Sequence, residues 1–167
     1  ERDLLIGWSK FIERLDPDIL TGYNIWGFDW EYIYERTIME NCKHIVFKHL
    51  NRLKNIENVK QELTIQDLSS SALGQNILKF INIEGIVQID LLKVVQRDHK
   101  LDSYKLDNVS KVFMGNQKVD LSPRQLFENY KIGSSDKIRE IAVYCIKDCI
   151  LVNELINKLQ VITNNMG

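Results

Sequence analysis

Tyr144 and Asp148 stand four residues apart in a stretch whose apolar residues recur at helical spacing. At about 100° per residue, Ile138, Ile141, Ala142, Cys145, Cys149, Val152, Leu155, Ile156 and Leu159 share one arc. Asp148 falls inside that arc, and Tyr144 lies at its edge one turn earlier, so the two are expected to face inward together. A carboxylate on a core-facing stripe wants a compensating partner, because an isolated buried charge is costly. A bound metal, a Lys or Arg from elsewhere, or a cluster of backbone N–H groups would serve.

A second polar cluster, Gly22-Tyr23-Asn24-Ile25-Trp26-Gly27-Phe28-Asp29, lies where a predicted strand meets a predicted helix. In α/β folds, ligands bind in the crevice outside the carboxyl ends of the strands. Combined with Tyr144 and Asp148, the set matches one chemistry: carboxylates that hold divalent metals, a phenol beside the metal-bound water, and an aromatic ring for a nucleobase. Each residue also has a plainer reading. Asp148 would serve in a buried ion pair or a helix–helix hydrogen bond, Asp29 as a helix cap, Phe28 in the core and Asn24 in a turn.

The elements that must position these groups are legible in outline. Residues 3–15 read as an amphipathic helix stopped by Asp16-Pro17-Asp18, because proline lacks an N–H and forces its predecessor out of helical geometry. A strand over 19–23, a turn over 24–27 and a helix from Phe28 to about Asn41 follow. Ile45-Val46-Phe47 reads as a strand within a less regular stretch, 43–85, which has the character of a loop or hairpin insertion. Ile86–Ile89 is the next strand, with Asp90 as the cap of a helix running to about Arg97. A helix over 105–114 ends at Gly115. Ser122-Pro123-Arg124-Gln125 forms a capping box that opens a short helix, and Ser135 caps the longest one, through about Ile162. Helices alternating with short strands indicate α/β, with fewer strands than a full sheet requires; the expectation is that others lie upstream.

The 167 residues include 22 Lys plus Arg against 23 Asp plus Glu, with 44% hydrophobic and 27% charged residues. Such a chain can bury enough surface to fold as one domain without disulfides or a structural metal. It contains no apolar run of the ~20 residues that a membrane span needs. Cys42, Cys145 and Cys149 lack C-x-x-C spacing and are expected to be reduced, buried and intracellular. Charge is uneven: residues 1–42 hold four basic against nine acidic side chains, and residues 43–60 hold five against one. Acidic and basic zones that abut in space would set a cation site beside a surface suited to a polyanion; the alternative is a solvated basic loop.

These residues resemble the 3′-to-5′ proofreading exonuclease domain of family B DNA polymerases, with a delta-type or large-DNA-virus flavour. Asp16-Pro17-Asp18, Gly22-Tyr23-Asn24, Phe28-Asp29, Tyr32 and Arg36 read like the family's second exonuclease motif and its flanks, and Tyr144-Cys145-Ile146-Lys147-Asp148 like the third. Leu101–Leu106 with Val109-Ser110 resembles the linking segment, and Gly85–Leu92 the strand before it. The resemblance implies an RNase H-like fold, here truncated at its N-terminal strands, with 1–167 a partial exonuclease domain and 43–85 a basic hairpin inserted within it. It implies two divalent metal ions, Mg or Mn, with Asp29 and Asp148 as ligands and Tyr144 orienting the attacking water. Asn24 and Phe28 would help to hold the single-stranded 3′ end, and Lys48 and Arg52 would contact phosphates near the primer–template junction. The implied partners are single-stranded and primer–template DNA, the remainder of the polymerase chain and a processivity factor, in the nucleus or at a cytoplasmic viral replication site.

One departure stands out. The family's first motif, Asp-x-Glu on the first strand, is expected upstream of Glu1; Asp29-Trp30-Glu31 has the right letters, but its Asp already belongs to the second motif. The palm motifs are also missing. The expectation is therefore a segment that cleaves little alone within an active parent. The competing readings are a catalytically degenerate RNase H-like scaffold or single-strand-binding module, and a free-standing exonuclease with a tyrosine-type metal site.

Overall fold

The computed structural model describes residues 1–53, 62–69, 76–115 and 121–165. The chain divides into two compact units, residues 1–90 and 91–167. Secondary structure is mixed α/β, as the sequence implies.

In the first unit, α1 (Arg2–Leu15) ends where Asp16 turns left-handed (φ 48°), its N–H bonded to the Ile12 carbonyl. The chain reverses through Pro17 into β1 (Ile19–Gly22), passes a π-helical turn (Ile25–Asp29) and continues as α2 (Trp30–Met39). Next come α3 (Lys43–Leu50), the antiparallel hairpin of β2 (Leu63–Asp67) and β3 (Ile77–Ile81), and β4 (Val87–Asp90). β4 pairs in parallel with β1, in a register that sets Ile19 beside Val87 and Gly22 beside Asp90. Both strands therefore end at the same edge, and the Gly22–Asp29 segment leaves from there.

The stretch 45–47, expected as a strand, is the middle of α3. The reason is visible in which side chains are buried: Val46, Phe47 and Leu50, spaced one and three apart, lie on one helical face. An alternating strand would have split Val46 from Phe47. That face joins Trp30, Cys42, Ile81 and Ile83 in the core of the unit, with Leu5, Trp8 and Ile12 of α1 packed against it. Within 43–85 the described residues also hold the antiparallel strands β2 and β3. The expected loop at 69–74, apart from Ser69, lies outside the described residues.

Arg52 ties the corners of this unit together. Its guanidinium donates from Nε to Asp16 Oδ1 (2.6 Å), from Nη2 to the Asp16 carbonyl (2.7 Å), and from Nη1 to Asp18 Oδ1 (2.8 Å) and the Gly85 carbonyl (3.1 Å). Its backbone N–H bonds the Glu84 carbonyl. Gly85 (φ +86°) sits so close that a Cβ there would stand 2.9 Å from Arg52 Cβ. The acidic and basic zones do abut where Arg52 pairs with Asp16 and Asp18 and the His49 ring meets Glu13; Lys43 instead bonds Glu62 (2.7 Å), which lies outside both zones, and the Tyr34 hydroxyl. Lys54 and Lys60 lie outside the described residues.

The second unit is helical: α4 (Leu91–Asp98), α5 (Leu106–Met114), α6 (Pro123–Ile132), α7 (Ser135–Lys158) and α8 (Val161–Asn165). α7 packs against α5, α6 and α8. The Ser122–Gln125 capping box and the left-handed Gly115 that closes α5 are both present. The cap of α7 is Ser134, one residue earlier than expected, with its hydroxyl accepting from the Lys137 N–H. The helix also stops sooner, because Gln160 adopts φ 50° before α8 begins. No helix among the described residues is long and apolar enough to cross a membrane.

Replacing Phe47 with Ala should cost about 3–5 kcal/mol, the range for emptying a buried aromatic site, whereas His44→Ala on the exposed side of α3 should cost less than about 0.5 kcal/mol. Urea unfolding followed by circular dichroism separates the two; equal, small effects would place residues 45–47 outside the core.

Candidate functional site at the carboxyl ends of β1 and β4

The Gly22–Asp29 segment has little freedom in sequence. A Cβ at Gly22 would lie 2.5 Å from Ile25 Cγ2, and one at Gly27 would lie 2.2 Å from Asn24 Oδ1. Asn24 itself takes a left-handed conformation (φ 65°), which Asn tolerates better than most residues. The chain can thus make its sharp exit from β1 only with small residues at 22 and 27 and a left-handed former at 24. The result is a π-helical turn, a local irregularity that proteins often place at functional sites.

This helix start has a capping problem. The first N–H groups of a helix have no partner within it, and the side chain of Asn24, at the cap position, makes no capping bond. Asp90 supplies the acceptors from the neighbouring strand: the Asn24 N–H donates to Oδ1 (2.8 Å) and the Trp26 N–H to Oδ2 (3.1 Å). Asp90 is 1% exposed. The sequence suggested Asp90 only as a cap for the helix that follows it in the chain; the structure shows it gripping a segment 64–66 residues away. Its charge is felt nearby. Burial, and then the Asp90 carboxylate, push the Tyr23 phenol well above its ordinary value.

Asp29 occupies the cap position of α2, yet its conformation is already right-handed helical and its side chain makes no capping bond. The plainer reading of Asp29 as a helix cap therefore fails. The residue reaches solvent. Partial desolvation raises its carboxyl above the usual carboxylate value, the Asp90 charge adds to the rise, and a hydrogen bond with its own backbone opposes them. Phe28 is 61% exposed rather than in the core, and its ring lies nearly parallel to that of Tyr32, one turn on (centroids 5.8 Å apart, planes 9°). The pair presents an aromatic surface beside Asp29. Glu31 is bound through both oxygens to Lys79 Nζ (2.6 Å each), in keeping with the view that Asp29-Trp30-Glu31 is a chance triplet.

In the second unit, Tyr144 and Asp148 lie one turn apart on α7 and both are half-buried. The apolar arc around them is covered less than its periodicity implies. Val152, Leu155 and Ile156 are buried, but Ile138 is 42% exposed, and Ala142, Cys145 and Cys149 are exposed. The expectation of buried cysteines holds for Cys42 alone, and all three are free thiols. Periodicity marks which side of a helix is apolar, not how far a neighbour covers it.

Of the basic residues expected at phosphates, Lys48 is exposed on α3, and Arg52 is held by Asp16, Asp18 and Gly85. Among the described residues no three His, Cys, Asp or Glu side chains are gathered as a metal site. The linking segment is a tightly bonded turn: the Tyr104 hydroxyl donates to the His99 carbonyl (3.0 Å), and Val109 and Ser110 are fully buried.

The family described as DNA polymerase family B, exonuclease domain, matches residues 1–109. The chain belongs to that family. It is 36% identical, over 224 aligned positions covering all of it, to a DNA polymerase of Pyramimonas orientalis virus. It is 42% identical over 164 residues, 98% of its length, to the DNA polymerase delta catalytic subunit of Oryza sativa subsp. japonica, and 40% identical over 166 residues, 99% of its length, to that of Drosophila melanogaster. It spans 18%, 14% and 15% of these relatives, respectively. The exonuclease-domain match includes the whole Gly22–Asp29 turn and Asp90.

The sequence missed the long-range partnership of Asp90 and the buttressing ring of Tyr32. The signal for the first was available: an Asp at the end of one strand, and a Gly-x-Asn at the end of another that could pair with it in parallel.

Gly27→Ala should destabilise the turn by about 1–3 kcal/mol, the usual cost of overpacking. Asn24→Gly in the same molecule removes the colliding amide and keeps the left-handed conformation. A double-mutant cycle on thermal unfolding should therefore give a coupling of about 0.5–3 kcal/mol in the sense of rescue; strict additivity would show that the two residues do not meet.

Proposed function

We propose that this chain is part of the 3′-to-5′ proofreading exonuclease of a family B DNA polymerase, built on an RNase H-like fold, and that it acts on single-stranded 3′ ends within the intact polymerase. The observation that carries the reading is Asp29: a carboxylate at a helix start, reaching solvent, with no capping bond to occupy it, beside an exposed aromatic pair. A hard oxygen donor of this kind suits a divalent cation. Asp29 and Asp148 would each hold metal. Two ligands do not make a full two-metal site, which fits the expectation that further carboxylates come from elsewhere in the polymerase.

Two divalent ions, Mg or Mn, would supply Lewis acidity there, making water a better nucleophile and offsetting charge on the leaving 3′ oxygen. The residues of this chain do the rest. The Tyr144 phenol orients the attacking water by hydrogen bonding, Phe28 stacks on a terminal base with Tyr32 behind it, and Asn24 helps to hold the unpaired end. The product is a nucleoside monophosphate. Residues 43–85 form a basic insertion near the primer–template junction, where Lys48 contacts phosphate. Arg52 would have to surrender its bonds to Asp16 and Asp18 to do the same. The remainder of the polymerase chain, a processivity factor, and a nuclear or viral-replication-site location complete the reading. The named relatives are polymerases and polymerase subunits, which favours this over a free-standing exonuclease.

In the intact polymerase, Asp148→Ala should lower exonuclease turnover on single-stranded DNA by about a thousandfold or more while polymerisation persists. The 167-residue chain alone should cleave little with Mg or Mn, and robust cleavage by it that Asp148→Ala abolishes would show the metal site to be misassigned. Lys48→Glu should weaken single-strand binding and reduce the slope of log affinity against log salt by about one; an unchanged slope would make Lys48 a solvated surface residue.

A further inference from the structure

We infer that Asp90 is a positioning residue of the exonuclease site, a cap delivered from the adjacent strand that fixes where Asn24, Phe28 and Asp29 point. The inference rests on the reading of those residues given under Proposed function and adds to it a residue that touches neither substrate nor metal.

Three observations converge. The helix beginning at Ile25 has no cap of its own, since the Asn24 side chain makes no capping bond. Two of its leading N–H groups, Asn24 and Trp26, each take a separate oxygen of Asp90. Finally, the parallel pairing that sets Gly22 beside Asp90 delivers that carboxylate to the point where the chain leaves β1. Two donors on two oxygens fix the turn in orientation as well as distance, and a buried carboxylate strengthens bonds of this kind. Asn at this position offers one acceptor oxygen and an NH₂ group that cannot accept, so it satisfies one donor and faces the other with a donor. Ala satisfies neither. The substrate-binding residues Asn24 and Phe28 and the ligand Asp29 lie on one rigid segment, so a shift at the cap moves all three together. Misplacement by about 1 Å is enough to cost on the order of a hundredfold in rate.

The signature follows from that linkage. A loss of folded molecules lowers apparent kcat and leaves KM for the single-stranded end unchanged. A displaced turn lowers kcat and raises KM at once, because binding and ligand residues ride on it together. In the intact polymerase, Asp90→Asn should reduce exonuclease kcat about tenfold and raise KM severalfold, and Asp90→Ala should do both more strongly, on the scale set by such misplacements. Polymerisation should be unchanged. Hydrogen–deuterium exchange should quicken in peptides covering Gly22–Asp29 and stay at the parental rate in those covering α3. Asp29→Ala, measured alongside, separates the two claims. If Asp29→Ala abolishes cleavage while Asp90→Asn leaves KM and the exchange of Gly22–Asp29 at parental values, the positioning role is overturned and the site reading stands. If Asp29→Ala cleaves at the parental rate, the site reading falls and this inference falls with it.

Discussion

A single buried carboxylate anchors the turn at the carboxyl ends of β1 and β4. Asp90 reaches from the end of β4 to two backbone N–H groups at the start of the helix that follows β1. The parallel pairing of these strands sets Gly22 beside Asp90, and the two bonds tie the next segment to that strand end. Net gains from hydrogen bonds are modest when both partners could be solvated; here, leaving buried donors unmet carries the larger cost. The sharp exit at Gly22, the left-handed Asn24 and the bare Gly27 are the steric conditions under which the N–H groups can reach those oxygens.

Around that edge, charges are arranged in two ways. On the side of α1 and α3, opposite charges pair, Arg52 with Asp16 and Asp18 and Lys43 with Glu62, and the His49 ring meets the Glu13 carboxylate. At the edge itself the Asp29 carboxyl is raised, chiefly by partial desolvation and further by the Asp90 charge.

Much of this was legible from residue patterns. α1, the capping box at Ser122 and the left-handed stop at Gly115 follow local rules, and local rules held. Two features did not yield to them. Residues 45–47 are β-branched or aromatic and read as a strand on propensity, but α1 and the hairpin offer them a helical face to fill, and tertiary packing outweighed propensity. The burial of α7 was overread because a repeating apolar pattern carries no information about which neighbours cover each turn. The Gly22–Asp29 cluster is visible in the sequence as a candidate site, since several unusual residue types coincide there; the partner that bonds it is not, because it lies more than sixty residues away.

The separation of β1 from β4 has a consequence for how the domain comes into being. The Gly27 and Phe28 N–H groups bond the Asn24 carbonyl locally, but the Asn24 and Trp26 N–H groups do not meet their acceptors until residue 90 has left the ribosome and docked, so this edge also depends on contacts that are remote along the chain and, in general, slow to form. Yet the entropy of closing a long excursion rises only with the logarithm of its length, about 0.6 kcal/mol for each doubling. An insertion or deletion in the intervening stretch is therefore expected to carry little thermodynamic expense. The length of that excursion is thermodynamically lenient, whereas the two strand ends it joins are tied to each other by register.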